Sequence, residues 1–290
     1  MHRLAVLPKL LSVLAVLSCS CAMAQTSMRP NGGAKGTAMG NAFVGLPGIS
    51  GVYGNPANLT SIGQWESQLY AQNRFLLPEL KEIGISLAAP ALGGTAGIGI
   101  RQSGHSGYKE QLAQICYSRL LGPGFGLGIR FDLGALSIPE YGNLITVNGS
   151  FGMHADLLPG LTAAVLIDHP LRQTGISAEF MPTLLGAGIR YEASEKTSLL
   201  IELIKDVEYP ASFRAGLDYQ LLPILSLQTG IATAPSLFSM GAALHLSPQF
   251  RLDIASSYHQ WLGFTPAIGL TFSNNKKEGP IEAPSSTFFR

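Results

Sequence analysis

A two-residue alternation of apolar and polar side chains, repeated in segment after segment, is the feature that most limits what this chain can become. Phe125, Leu127, Ile129, Phe131 and Leu133 share one strand face, while Gly126, Gly128, Arg130, Asp132 and Gly134 share the other. Phe213, Ala215, Leu217, Tyr219 and Leu221 interleave in the same way with Arg214, Gly216, Asp218 and Gln220. Phe250, Leu252 and Ile254 interleave with Arg251, Asp253 and Ala255. Each polar face carries both an arginine and an aspartate.

Two stretches, 83–100 and 219–250, contain no Asp, Glu, Lys or Arg and are long enough to be weighed as membrane helices. Pro90 and Gly93-Gly94 interrupt the first, and Pro223, Pro235 and Pro248 the second. In hydrocarbon no water replaces the backbone hydrogen bonds that such residues remove, so helices fail and strands remain. Alternation by itself also suits a soluble sandwich with one solvated face. Composition argues against that. Charged residues make up 13% of the chain while hydrophobic residues hold at 46%. Soluble domains carry about 25% charged residues, so something other than water covers part of this surface.

Connections carry the argument further. Fourteen strands are expected at about 64–72, 82–89, 94–102, 110–119, 125–133, 143–155, 161–168, 183–192, 197–205, 211–220, 224–233, 237–246, 250–259 and 265–273. Short turns fall at Ala89-Pro90, Gly122-Pro123-Gly124, Pro159-Gly160, Ser194-Glu195-Lys196, Leu222-Pro223 and Ser247-Pro248, and longer loops at 73–81, 134–142 and 168–182. The alternate loops nearer the C-terminus, 206–210, 233–236 and 260–263, are shorter. Short turns on one rim and longer loops on the other define an all-β, antiparallel, up-and-down transmembrane barrel with both ends on the short-turn side. The same segmentation leaves twelve or sixteen strands open. Tyr70, Tyr117, Phe125, Tyr191, Tyr219, Tyr258 and Phe272 lie at strand ends, where rings suit an interfacial girdle. Glycine-rich strand positions weaken side-chain packing and are expected to leave gaps in the wall.

The N-terminus reads as an export signal: Arg3 and Lys9, an apolar run over 10–17, and small residues around Ala22-Met23-Ala24. Acylation at Cys19 is the competing reading. Cleavage after Ala24 would leave Cys116 alone, a small buried or lipid-facing residue with no disulfide partner. The expected organisation is a signal peptide (1–24), a plug or hatch segment (25–63), a barrel (64–273) and a polar tail (274–290) in which Phe288-Phe289 could serve as an assembly signal in place of Phe272.

The run Gly33-Ala34-Lys35-Gly36-Thr37-Ala38-Met39-Gly40-Asn41-Ala42-Phe43-Val44-Gly45, followed by Val52-Tyr53-Gly54-Asn55-Pro56-Ala57-Asn58-Leu59, resembles the opening of FadL-like and PorV/PorQ-like bacterial outer-membrane proteins. Gly36, Met39, Gly40, Asn55, Pro56 and Ala57 carry the likeness. It implies a segment that folds inside the barrel as a hatch or lines its wall. It also implies either transport of hydrophobic small molecules or, alternatively, docking of exported proteins in a secretion system. The chain departs from the pattern at Leu46-Pro47-Gly48, where many relatives carry an acidic pair, and at Asn58, where glycine is usual.

With polar faces inward, Arg101, Arg130, Arg190, Arg214 and Arg251 meet Asp132, Glu192, Glu202, Asp218 and Asp253, with His245 beside them. A balanced lumen suits crosslinked ion pairs rather than a charge-selective ring. His105, His154, His169 and His259 lack zinc-site spacing, and no nucleophile elbow, phosphate loop or metalloprotease motif occurs. No catalytic residue, metal or cofactor is assigned. Net charge of +1 without a basic patch gives no footing for nucleic acid. The expected surroundings are outer-membrane lipid and a monomeric barrel.

Overall fold

The computed structural model describes residues 29–171 and 180–274. The expected signal peptide, the Cys19 alternative, most of the 168–182 loop and nearly all of the tail lie outside the described residues.

Fourteen antiparallel strands close into one barrel. They are β1 Glu66–Asn73, β2 Lys81–Ala91, β3 Gly94–His105, β4 Tyr108–Gly122, β5 Phe125–Ile138, β6 Gly142–Leu158 and β7 Leu161–Asp168. The second half comprises β8 Leu184–Ser194, β9 Thr197–Asp206, β10 Ser212–Leu222, β11 Leu225–Thr233, β12 Ser236–His245, β13 Phe250–His259 and β14 Gly263–Ser273. Each strand pairs with its neighbours in sequence, and β1 closes on β14 from Glu66↔Ser273 to Gln72↔Ala267. Closure leaves no edge strand exposed to lipid, where unpaired backbone would be costly.

The expected alternation appears as burial. Phe131 is 63% exposed while its neighbours Arg130 and Asp132 are 2% and 1% exposed. Ile83, Ile85, Ile98, Ile100, Ile115, Ile145, Ile201 and Leu203 likewise point out, and Arg101 and Arg130 are among the largest fully buried side chains. Greasy outside and charged inside is the reverse of a soluble protein, and it is stable only with lipid against the wall. The chain is an outer-membrane type β-barrel that crosses with strands.

Several expectations need correction. Ala89-Pro90 is not a turn: Pro90 pairs with Thr95 at the end of β2, and the chain reverses at Leu92-Gly93, both with positive φ. Two consecutive positive φ values match the strand twist in a tight hairpin, and proline is tolerated at a strand end where no ladder donor is needed. Gly134 does not open a loop but lies within β5, paired with Leu112 and Thr146. The two rims are not uniformly sorted, because β3 and β4 join through Ser106-Gly107 on the longer-loop side. β4, β5 and β6 run 15, 14 and 17 residues against about 10 elsewhere, which raises the longer-loop rim on that side.

Tyr70, expected in a girdle, faces inward at 3% exposure and packs with Ala34, Ala38, Ala255 and Ala267. Tyr191, Tyr219 and Tyr258 are exposed at strand ends. Trp65, Phe272 and Phe250 stack across β1, β14 and β13 at the short-turn rim, with centroids 4.7 and 4.8 Å apart. Tyr258 and Phe264 do the same at the opposite rim, 4.9 Å apart. Amphipathic rings at both water–lipid boundaries anchor the barrel's depth.

Candidate functional site: the filled lumen

Residues 29–62 occupy the barrel interior. The segment includes one short helix, α1 (Gly33–Ala38), and 3₁₀ turns at Ile49–Val52 and Pro56–Ser61. Arg29 sits at the longer-loop rim, pairing with Asp206 at 2.7 Å and lying over the Tyr209 ring. From there the chain passes the inner faces of β11–β14, crosses to β8 and β9, and returns along β3–β6 before entering β1.

Inward glycines make this fit. A Cβ on Gly230 would overlap the backbone nitrogen of Gly40, and one on Gly152 would overlap the Asn55 side chain. The glycines are therefore not gaps in the wall, as expected from sequence, but the space into which the N-terminal segment sinks. The family-motif residues lie at these close approaches. Met39 backs onto Gly216 and Gly230, Gly40 has φ +72°, and Pro56-Ala57 press on Gly128. Within α1, a Cβ on Gly36 would come within 2.6 Å of the Ala42 carbonyl. Asn55, fully buried, caps the second 3₁₀ turn by accepting from the Ala57 amide at 3.1 Å and donates to the Val44 carbonyl at 2.9 Å. Asn58, the departure from the family pattern, braces the same loop by donating to Val44 and Leu46 carbonyls at 2.8 and 3.0 Å.

Charged wall residues hold the segment by its backbone. Glu202 accepts from the amides of Phe43 and Gly45, both at 2.9 Å. Arg130 donates to the Gly54 carbonyl at 2.5 Å, Arg101 to the Arg29 carbonyl at 3.0 Å, and Arg214 to that of Asn41. Glu82 collects Arg101, Asn31, Gln72 and, from the β1–β2 loop, Arg74. Lys35 on α1 pairs with Asp218 at 3.0 Å. The five-against-five balance is thus incomplete: Glu82, Asp168 and Asp206 add inward carboxylates, met by Arg74, Arg130 and Arg29 respectively, while Lys35 of the N-terminal segment answers Asp218. Glu82 and Asp168 were in phase with the inward faces of their strands and could have been read from the alternation. Glu192 is half exposed and pairs with Arg190 at the short-turn rim.

The remaining predicted lining residues gather below the segment. Arg251, Asp253 and His245, with Lys35, Glu66 and Gln68, line a cavity of about 240 Å³. His245 and Arg251 also border an adjoining cavity of about 330 Å³ that contains Asp218. Arg190 lines a third, of about 220 Å³, with His154 and Asp156. All three open at the short-turn end. On the lipid-facing side, Leu69, Ala71, Ile83, Ile85, Ile268 and Leu270 border a shallow apolar concavity of about 630 Å³.

One cluster was invisible in sequence. Arg130 bridges Asp132 (2.9 Å) and Asp168 (2.5 Å), and Ser150 donates to Asp168 at 2.5 Å. Gln114 donates to Asp132 at 2.6 Å. His169, read as one of several scattered histidines, places its two ring nitrogens 3.2 Å from Asp132 and 3.5 Å from Asp168. Burial alone would lower its pKa, but Asp168 and Asp132 outweigh that and hold it above the ordinary imidazole value. Asp132, Asp168 and His169 together offer a metal-like donor set. The Arg130 guanidinium already lies on both carboxylates, so the positive charge the pair requires is supplied by the protein. Cys116, buried, points its thiol at the Val52 carbonyl.

The closed fourteen-strand barrel shares its fold with solved bacterial channels and transporters. Among solved structures, the chain is similar to the CymD monoaromatic hydrocarbon channel, with TM-score 0.64 and 13% identity over 86% of this chain and 99% of that one. It is similar to the Pseudomonas putida toluene transporter TodX, with TM-score 0.62 and 12% identity over 86% and 98%. A Pseudomonas aeruginosa FadL homologue matches with TM-score 0.57 and 12% identity over 84% and 97%. No family model matches the chain, and no curated protein matches it.

Proposed function

We propose that this protein is a non-enzymatic outer-membrane transporter of hydrophobic small molecules, working as a single barrel whose passage is governed by the N-terminal segment. The observation that carries the reading is that the lumen is stopped by a segment held through hydrogen bonds and ion pairs to the wall, such as Glu202 to Phe43 and Gly45 and Lys35 to Asp218. Contacts of that kind can be exchanged, whereas a wall strand cannot leave without breaking the barrel. The likeness in fold to channels named for hydrocarbons supports the choice of cargo. On this reading the chain divides into an export signal over 1–24, a hatch over 25–63, the barrel over 64–273 and a tail over 274–290. Gly36, Met39, Gly40, Asn55, Pro56 and Ala57 shape the hatch, and Arg101, Arg130, Glu202, Arg214 and Asp218 retain it.

The test is flux into liposomes carrying the purified protein. Wild type should admit toluene faster than protein-free vesicles while retaining small polar sugars, and deletion of 33–59 should let those sugars leak. Equal toluene entry with and without wild-type protein would refute the transport reading.

A further inference from the structure

The outward faces of β2, β3 and β4 change character along the strands, and the ladders place that change row by row. At mid-wall Leu87, Ile98 and Ile115 lie side by side, and one row nearer the longer-loop rim come Ile85, Ile100 and Ala113. The next row exchanges hydrocarbon for amides: Gln102 stands opposite Gln111, whose side-chain amide donates to the Gln102 carbonyl at 3.1 Å. One row further, Gly104 is opposite Lys109 on one side and, continuing the register from Glu82↔Ser103, opposite Lys81 on the other. Gly104 has φ +99°, and a Cβ there would overlap the Tyr108 carbonyl oxygen, so no side chain can stand between the two lysines. Their Cα atoms are two strand spacings apart, about 10 Å. Two flexible four-carbon stems can converge across that gap. Neither ammonium group forms an ion pair or hydrogen bond among the described residues, in contrast to Lys205 at the same rim, which donates to the Tyr209 carbonyl. Beside this column lies the lipid-facing apolar concavity of about 630 Å³, with Gln102 on its border. Its floor is Ala71 of β1, paired with Ile268 of β14 and Ile83 of β2, so a methyl group lies in a notch between two branched chains.

We infer that this face seats one phosphate-bearing lipid of the outer leaflet, with an acyl chain in the concavity, the polar linkage at the Gln102–Gln111 pair and the phosphate between Lys81 and Lys109. The longer-loop end of an outer-membrane barrel is its outer-leaflet end. Lysines at a membrane boundary lay their stems along apolar surface and extend the ammonium to the headgroups, where each adds attraction for an anionic lipid. The stacking of hydrocarbon, amide and cation along three neighbouring strands repeats the order of chain, linkage and phosphate in such a lipid. The wall behind is closed: β1 and β2 pair from Asn73↔Lys81 to Glu66↔Ala88, and β2 and β3 from Glu82↔Ser103 to Ala91↔Gly94, so the lipid rests on the barrel and does not pass through it. The site is independent of the transport reading and stands whether or not the barrel carries cargo.

The experiment uses full-length protein in a non-ionic detergent, with diphosphorylated lipid A as the probe and native mass spectrometry counting the lipids retained. Wild type should retain one molecule, and Lys81→Gln/Lys109→Gln should bind it roughly 30-fold more weakly. Ala71→Leu, which fills the notch and leaves both lysines, should also weaken binding. Heat-modifiable migration on gels checks that each variant is folded. On wild type, the fully dephosphorylated lipid should bind as weakly as the phosphorylated one binds the double variant, and excess inorganic phosphate should not displace the probe. Equal binding by wild type and the folded double variant would overturn the site, as would no effect of Ala71→Leu. Equal retention of phosphorylated and dephosphorylated lipid by wild type would overturn it without recourse to any variant. Displacement by inorganic phosphate would reduce it to an anion site and overturn the lipid assignment. Toluene flux, which tests transport, is expected to be the same in wild type and the double variant.

Discussion

Replacing Glu202 by glutamine puts the retention of the N-terminal segment to a local test. The carboxylate accepts two backbone amides, Phe43 and Gly45, at 2.9 Å each, from a fully buried position on β9. Glutamine keeps the shape but has one acceptor oxygen, so one amide loses its partner and faces an NH₂ group. A hydrogen bond to a charged group contributes about 1.5–3 kcal/mol, and this substitution forfeits one of them. At about 1.4 kcal/mol per factor of ten, opening of the segment should become roughly 10- to 150-fold more frequent. Hydrogen exchange of the protein in micelles reads this directly: Phe43 and Gly45 amides should exchange faster by that factor while mid-strand amides of β5 and β9 keep their protection. Unchanged exchange at Phe43 and Gly45 would refute the anchoring role. Equal acceleration of the strand amides would refute the idea that the segment opens separately from the barrel.

Four further outcomes follow from the same geometry. Gly230→Val should displace residues 39–40 from the wall and raise ion conductance in planar bilayers, while the barrel keeps its heat-modifiable migration on gels; wild-type conductance would contradict the close packing. Phe131→Arg, on the lipid face, should cost about 2–4 kcal/mol in reversible unfolding from lipid vesicles, and a neutral result would contradict the assigned depth. Asn55→Ala should cost ~1 kcal/mol and accelerate exchange of the Ala57 amide. The pKa of His169 is raised on folding, so its stabilising contribution is complete below the unfolded value of about 6.5 and is lost as pH climbs through the folded value. Thermal stability of wild type should therefore fall across that window, and His169→Gln should flatten the dependence.

The barrel was legible because its signal is local. Ile129, Arg130 and Phe131 declare lipid, lumen and lipid by adjacency alone, and prolines at 123, 159, 223 and 248 mark hairpin reversals wherever the strands end up. Errors arose where a neighbour from far along the chain decides the outcome. Gly134 reads as a loop residue until Phe180 and Met181 are seen to need its missing side chain, and Tyr70 reads as a girdle ring until α1 is found against it.

The order of residues by itself therefore determined the strand period and which face meets lipid, since side chains two apart share a face whatever surrounds them, while closure at fourteen strands came from the tertiary structure. Which inward residues meet was decided by the closed tertiary structure. Register around the ring brings Arg130, Ser150, Asp168 and His169 from three strands and a loop to one point, and it aligns glycines from β3 to β14 into a bed for residues 29–62. No short-range pattern encodes those meetings, because they depend on the stagger of every ladder between them.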